Sequence, residues 1–121
     1  MVHHVAIECA SQQHADQFFT TILGLGKVKT TILSKELSAA IFKIDQEVRF
    51  DFYENGKTRF EVFITSARSE KTFAHTCLEV DSKDDFIARC KEQGLDPFFV
   101  EKGGKQLSFV RDMSGNLYEI K

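Results

Sequence analysis

Near its start the chain reads His4-Val5-Ala6-Ile7-Glu8-Cys9, and a later segment, His75-Thr76-Cys77-Leu78-Glu79-Val80, repeats that pattern. The offset is identical for the histidines, 75 − 4 = 71, and for the glutamates, 79 − 8 = 71. Side chains alternate between the two faces of a strand, so each segment predicts a half-buried strand that opens with a histidine. The repetition indicates a duplicated half-domain with one metal-ligating histidine in each half.

The segments that follow the two histidines come in matching order. Each half predicts a helix after a serine N-cap, Ser11 or Ser82, and the first helix has an apolar stripe formed by Ala15, Phe18, Phe19 and Ile22. Strands are then expected at 27–33, 39–44 and 48–54, with an extra one at 59–65, and in the second half at 98–101, 106–111 and 117–120. Each half therefore reads strand, helix, strand, strand, strand, and the polar residues 66–71 predict the boundary between them.

Composition narrows the class of protein. A chain of 121 residues predicts one domain, and a formal net charge of −2 argues against a nucleic-acid or anionic-membrane partner. The three cysteines, Cys9, Cys77 and Cys90, are odd in number and lack CxxC spacing, which favours free thiols in a reducing compartment. The sequence shows no leader peptide pattern and no apolar run of membrane-spanning length. We therefore expect a cytoplasmic protein.

The end of the chain carries the most specific motif. The segment Asp112-Met113-Ser114-Gly115-Asn116-Leu117-Tyr118-Glu119 resembles Asp-Pro-x-Gly-Asn-x-x-Glu, a pattern of the vicinal-oxygen-chelate superfamily, with Met113 in the place of proline. This is the superfamily of glyoxalase I, methylmalonyl-CoA epimerase, fosfomycin and bleomycin resistance proteins, and extradiol dioxygenases. The resemblance implies an α+β fold of two tandem βαβββ modules that form a cupped mixed sheet with helices on its outer face. It covers one glyoxalase-like domain, with modules at about 1–66 and about 72–121.

The resemblance also implies a set of metal ligands. In this superfamily the first strand of each module carries a histidine near its start and the last strand carries a glutamate. His4, His75 and Glu119 match those positions.

The fourth position has two candidates. Counting from the end of each predicted helix favours Asp51, because 51 − 25 = 26 and 119 − 95 = 24 are similar distances from Leu25 and Leu95. Glu61 has the matching residue type, but 61 − 25 = 36 requires an additional strand. We expect Asp51, with Glu61 as its rival.

Two imidazoles and one or two carboxylates suit a divalent ion such as Zn, Ni, Co, Mn or Fe(II). The resemblance implies that this ion chelates two neighbouring oxygens of a small substrate, while a carboxylate abstracts a proton next to a carbonyl. Glu119 and Asp51 are the expected catalytic carboxylates, and Glu61 is the alternative to Asp51. These features predict a metal-dependent isomerase, epimerase or lyase of the glyoxalase type.

Two other functions fit the same resemblance. One is a metal-free protein that sequesters a ligand, as bleomycin resistance proteins do. The other is a ring-cleaving dioxygenase, because His4, His75 and Glu119 would satisfy a two-histidine, one-carboxylate iron site, although such enzymes usually have longer chains. Exposed sheet edges and the resemblance together predict a homodimer. The sequence does not identify the substrate.

Overall fold

The structure is a computed structural model that describes residues 1–66 and 72–121. The chain divides into two compact units, Met1–Arg68 and Ser69–Lys121. Apart from Ser66, the predicted boundary at 66–71 lies outside the described residues. Within the described ranges no helix is both long and apolar enough to cross a membrane.

The first unit contains a four-stranded mixed sheet. Its strands have the order β1-β4-β3-β2, with β1 parallel to β4 and the other neighbours antiparallel. The elements are β1 (Val5–Cys9), α1 (Gln12–Ala15) with a π-helical continuation (Asp16–Ile22), β2 (Gly26–Leu33), α2 (Lys35–Phe42), β3 (Val48–Glu54) and β4 (Arg59–Ile64).

The second unit repeats that topology. Its sheet has the order β5-β8-β7-β6, again with the first strand parallel to the last. The elements are β5 (Thr76–Leu78), α3 (Lys83–Glu92), β6 (Phe98–Lys102), β7 (Lys105–Arg111) and β8 (Leu117–Ile120). The predicted fold class, α+β with two tandem βαβββ modules, is confirmed.

The predicted strand at 39–44 is wrong, because most of it belongs to helix α2. Ser34 caps this helix with its hydroxyl oxygen, which accepts a hydrogen bond from the Leu37 N–H, and Glu36 lies in the first turn. Lys43 ends it in the left-handed conformation, with φ of 60°. An N-cap and an alanine pair favour the helix over the strand that the apolar run suggested. As a result, β4 is the last strand of its module and not an extra one.

One face of the first sheet packs on the helix that follows β1. The predicted N-cap is confirmed, since the Ser11 hydroxyl oxygen accepts a hydrogen bond from the His14 N–H at 3.2 Å. The predicted apolar stripe is also confirmed: Ala15, Phe18, Phe19 and Ile22 are fully buried. Beyond Ala15 the helix widens to π geometry, and Phe19 packs against Tyr53 and Phe60 with ring centroids 5.2 and 5.0 Å apart. We call this side of the sheet, which includes Tyr53, Phe60 and Val62, the helix face.

Candidate metal centre

His4 and Glu61 lie together on the other side of the first sheet. β1 and β4 are parallel neighbours in which Ala6 is opposite Glu61, and His4 lies two residues before Ala6. The His4 Nε2 is 3.4 Å from Glu61 Oε2, and the two side chains are 39% and 17% exposed. We call this side of the sheet, marked by His4, Ala6 and Glu61, the His4 face.

His75 and Glu119 form the same arrangement in the second unit. Cys77 is opposite Glu119 on the parallel strands β5 and β8, and His75 lies two residues before Cys77. The His75 Nε2 is 3.7 Å from Glu119 Oε2, with side chains 41% and 17% exposed. The two histidine–glutamate pairs therefore agree in register, spacing and exposure. We call the side of the second sheet marked by His75, Cys77 and Glu119 the His75 face.

Glu61, and not Asp51, holds the repeat position of Glu119. Asp51 lies on β3, directly opposite Val62, and cross-strand partners point to the same side of a sheet. It is therefore on the helix face, fully buried, whereas Glu61 is on the His4 face. The equivalence expected from residue counting is wrong because helix α2 lengthens the first module ahead of β3.

Asp51 is occupied by contacts within the core. Its Oδ1 accepts a hydrogen bond from the Thr30 hydroxyl at 2.7 Å and lies 3.4 Å from the Arg49 Nε. The other oxygen, Oδ2, is buried without a hydrogen-bond partner within the described residues. These contacts tie β3 to β2, so Asp51 joins two strands and does not approach His4.

The spacing within each pair suits two ligands of one metal ion. Two donor atoms about 2.1 Å from an ion, at an angle of about 90–110°, lie about 3.0–3.4 Å apart. The measured separations of 3.4 and 3.7 Å are at and slightly above that range. Over the described parts of the chain, however, no group of three or more His, Cys, Asp or Glu side chains lies close enough to hold a metal. Each unit supplies a pair of candidate ligands.

The Nδ1 nitrogen of His75, which is not the nitrogen beside Glu119, has a hydrogen-bond partner that the sequence analysis did not identify. The Nδ1 of His75 lies 2.9 Å from the backbone carbonyl oxygen of Phe73, so a neutral ring donates from Nδ1 and leaves Nε2 as an acceptor. That acceptor lies 3.7 Å from a carboxylate oxygen of Glu119, and a cation between the two acceptor atoms would bind both. Ligating histidines commonly donate their other N–H to a backbone carbonyl in this way. No sequence pattern marks such a carbonyl.

The corresponding nitrogen of His4 has a different partner. Its Nδ1 is 3.3 Å from the Nδ1 of His3, and the two rings meet edge to face with centroids 5.6 Å apart. Either ring can donate in this contact, because the donor depends on the tautomer. The His4 ring is therefore held less specifically than the His75 ring.

The turn before β8 explains how Glu119 is held. Asp112 Oδ1 accepts hydrogen bonds from the N–H groups of Ser114 and Asn116, at 2.9 and 3.0 Å. Its Oδ2 accepts from the Asn116 amide and the Tyr118 hydroxyl, at 3.0 and 3.1 Å. Burial raises the pKa of the Asp112 carboxyl above 3.8, while these hydrogen bonds oppose the shift. These hydrogen bonds close the turn and connect it to the start of β8, the strand that carries Glu119.

The fold agrees with comparisons to known proteins. The model of the glyoxalase/bleomycin resistance protein/dioxygenase superfamily matches residues 3–110, and the chain belongs to that superfamily. A comparison with curated proteins finds no match by sequence.

Solved structures share the fold along the whole chain. A glyoxalase family protein from Enterococcus faecalis is 22% identical, with a TM-score of 0.76 over 99% of this chain and 95% of that one. Fosfomycin resistance protein FosX from Mesorhizobium loti is 12% identical, with a TM-score of 0.72 over 99% and 89%. A variant of FosX from Listeria monocytogenes, complexed with Mn(II) and 1S,2S-dihydroxypropylphosphonic acid, is 11% identical, with a TM-score of 0.75 over 99% and 87%.

Proposed function

We propose that the protein is a metal-dependent isomerase, epimerase or lyase of the glyoxalase type. The observation that carries this proposal is the repeated histidine–glutamate pair, which has the same register and nearly the same spacing in both units. A structural role for either pair alone would not require the second unit to reproduce it. The FosX relative that binds Mn(II) together with a dihydroxy compound supports the same chemistry.

The proposed ligands are His4 and Glu61 from one unit and His75 and Glu119 from the other. Glu61 replaces Asp51 in this set, because Asp51 lies on the helix face and is engaged by Thr30. Imidazole and carboxylate donors suit Zn, Ni, Co, Mn or Fe(II).

In the proposed mechanism a carboxylate at the site moves the proton. A bound divalent ion would stabilise negative charge on two adjacent substrate oxygens and so acidify the neighbouring C–H. Glu119 accepts that proton on a carboxylate oxygen and returns it, while its backbone is held by the β7–β8 turn. The Phe73 carbonyl orients the His75 ring so that Nε2 points toward Glu119.

Metal titration separates this proposal from a metal-free ligand-binding protein. We expect untagged protein to bind Zn, Ni, Co or Mn in calorimetry and to unfold at a higher temperature with the ion present. Glu61→Gln should weaken that binding strongly, whereas Asp51→Asn should leave it unchanged. No binding by the wild type would favour the metal-free binder, and a loss confined to Asp51→Asn would restore Asp51 as the ligand.

The proton-transfer step has its own test. With metal bound, the protein should catalyse deuterium exchange of hydroxyacetone next to its carbonyl in D2O, followed by NMR. Glu119→Gln should abolish this exchange while the fold is retained. A Glu119→Gln protein that keeps its metal and its full exchange rate would refute the base assignment. Oxygen uptake with a catechol and Fe(II) would instead favour the dioxygenase.

The homodimer remains a prediction. Strands β1 and β2 are the edges of the first sheet and β5 and β6 those of the second, within the described residues. Unpaired edges favour association with another chain. Size-exclusion chromatography with light scattering should give twice the 13.8 kDa chain mass at micromolar concentration. A monomer would exclude a site shared between chains.

A further inference from the structure

Two cationic side chains flank an aromatic ring beside Glu61. Phe52 lies directly opposite Glu61 on the neighbouring strand, so both are on the His4 face. The Arg59 guanidinium carbon is 4.9 Å from the Phe52 ring centroid, and the Lys29 Nζ is 5.6 Å from it on the other neighbouring strand. Arg59 is two residues before Glu61, which corresponds to about 7 Å along a strand.

The hydrogen-bonding capacity of these cations is not fully used inside the protein. The Arg59 Nε is buried and has no hydrogen-bond acceptor in the part of the chain that the structure describes. Arg59 forms an ion pair with Glu54, but the Glu54 Oε2 is 3.7 Å from Nε, which is beyond hydrogen-bonding distance. Within those same residues no carboxylate forms an ion pair with Lys29. The Arg59 side chain as a whole is 32% exposed, so an anion from solution can approach the guanidinium and form charge-assisted hydrogen bonds that Glu54 does not supply.

The second unit shows that this fold does not need cations at the two positions. Leu117 holds the place of Arg59, two residues before Glu119, and Phe98 holds the place of Lys29, opposite the ring of Phe109. Phe98 and Phe109 stack with centroids 5.3 Å apart. Arg111 is also on the His75 face, but its guanidinium donates to the Gly115 carbonyl at 2.8 Å. The first unit therefore places charge where its repeat packs apolar side chains.

We infer that Lys29 and Arg59 bind an anionic group of the substrate, a carboxylate or a phosphonate or phosphate, about 7 Å from the metal-binding pair. An arginine fork and a lysine ammonium match the oxygens of such groups. This inference rests on the proposed function for its reference point, the ion at His4 and Glu61. It adds the substrate class: small organic anions.

The opposite end of the His4 face carries a cluster of aromatic side chains. Phe63 lies two residues after Glu61 and stacks on Phe50, with centroids 4.7 Å apart and planes inclined by 3°. Phe42 of α2 meets Phe63 edge to face at 5.7 Å. Along β4 the His4 face therefore runs from a cation through a metal ligand to an aromatic cluster. A substrate with an anionic end and an apolar body matches this order.

Calorimetric titration with phenylphosphonate, and with benzoate in a parallel arm, tests the inference. Arg59→Leu carries the residue that the second unit has at this position, so it should fold, as a thermal melt will check. We expect it to weaken phenylphosphonate binding by about tenfold or more, and Lys29→Gln to weaken it several-fold. Lys27→Gln is the matched control, because Lys27 pairs with Asp16 on the helix face at 2.9 Å. Comparing the two arms identifies the preferred anion.

The outcomes distinguish this inference from the proposed function. Wild-type affinity in Arg59→Leu, or no binding of either anion at millimolar concentration, would overturn the inference even if zinc binds normally. Zinc affinity should be retained in both Arg59→Leu and Lys29→Gln. Anion binding that depends on Arg59 in a protein that binds no metal would uphold the anion site and refute the metal-dependent function.

Discussion

The two units carry the same pair of candidate ligands in different surroundings. The His4–Glu61 pair has Arg59 and Lys29 nearby, whereas the His75–Glu119 pair has Leu117 and Phe98 at the matching positions.

The histidines also differ in how they are held. His75 donates to a backbone carbonyl, while His4 meets a second imidazole. The two units therefore share the candidate ligands and differ in the residues that lie beside them. We therefore propose that both units contribute metal ligands and that substrate recognition lies mainly in the first unit.

Replacing either histidine should give the largest effect, a loss of zinc affinity. The likeness between the two units would fail if only one of the two replacements weakened zinc binding. We expect His4→Ala and His75→Ala each to lower zinc affinity by about 100-fold or more, since even outer partners of ligands are worth 10–100-fold. His14→Ala, on α1, is the control and should bind as the wild type does. Calorimetry measures all three. An unchanged affinity in His75→Ala would assign the ion to the first unit alone.

Replacing Asp51 should lower the stability of the first unit much more than replacing Glu61 does. Asp51→Ala removes the acceptor of the Thr30 hydroxyl in the core and should lower the free energy of unfolding by about 1–3 kcal/mol. Glu61→Ala, at a half-buried position on the His4 face, should change it by less than about 1 kcal/mol. Urea denaturation of the metal-free proteins measures both. A larger loss for Glu61→Ala would reverse the assignment.

The hairpin turns of the two units should differ in their response to pH. Burial raises the pKa of Asp112 in the folded state, so the folded protein binds this proton more tightly than the unfolded chain does. Relative to Asp112→Asn, the wild type should therefore be most stable below pH 3.8 and lose stability as pH rises through the raised pKa.

The first unit supplies the control for this pH dependence. Its β3–β4 turn is closed by the neutral amide of Asn55, whose Oδ1 accepts from the N–H groups of Lys57 and Thr58. Asn55→Ala should therefore shift stability equally at every pH in this range. Parallel pH profiles for wild type and Asp112→Asn would contradict the assignment to Asp112.

The smallest expected effect concerns Cys77, the exposed thiol opposite Glu119. Zinc should slow its alkylation several-fold because the ion would occupy the neighbouring space. The first unit has Ala6 at the matching position, so the thiol introduced by Ala6→Cys in a Cys77→Ala background should be protected to a similar degree. The Cys90 thiol is the internal control. Burial raises its pKa to about 11, so this thiol should stay unmodified near neutral pH. Mass spectrometry measures the alkylation of each thiol. Protection of Cys77 without protection of the introduced thiol would place the ion in the second unit alone.

Much of the fold could be predicted because many of its elements have recognisable local sequence patterns. Alternation marks β1, a serine cap marks α1, and turn residues mark β8, whose observed bounds are the predicted ones. Glu61 could not be assigned by counting, because residues 39–44 form a mostly apolar run that suggests a strand, whereas most of them belong to helix α2. The Phe73 carbonyl and the Lys29–Phe52–Arg59 cluster arise from chain path and strand register, which single-residue patterns do not encode.

The Asp112 turn has a consequence for how relatives of this chain are grouped. The motif that most specifically indicates the superfamily makes local contacts: the Asp112 side chain accepts four hydrogen bonds, from residues 114, 116 and 118, which are no more than six residues away. The motif would therefore survive the loss of either imidazole. Grouping by this motif collects proteins that share a turn, whereas grouping by the residues at 4, 29, 59, 61 and 75 would collect candidates for the reaction proposed above.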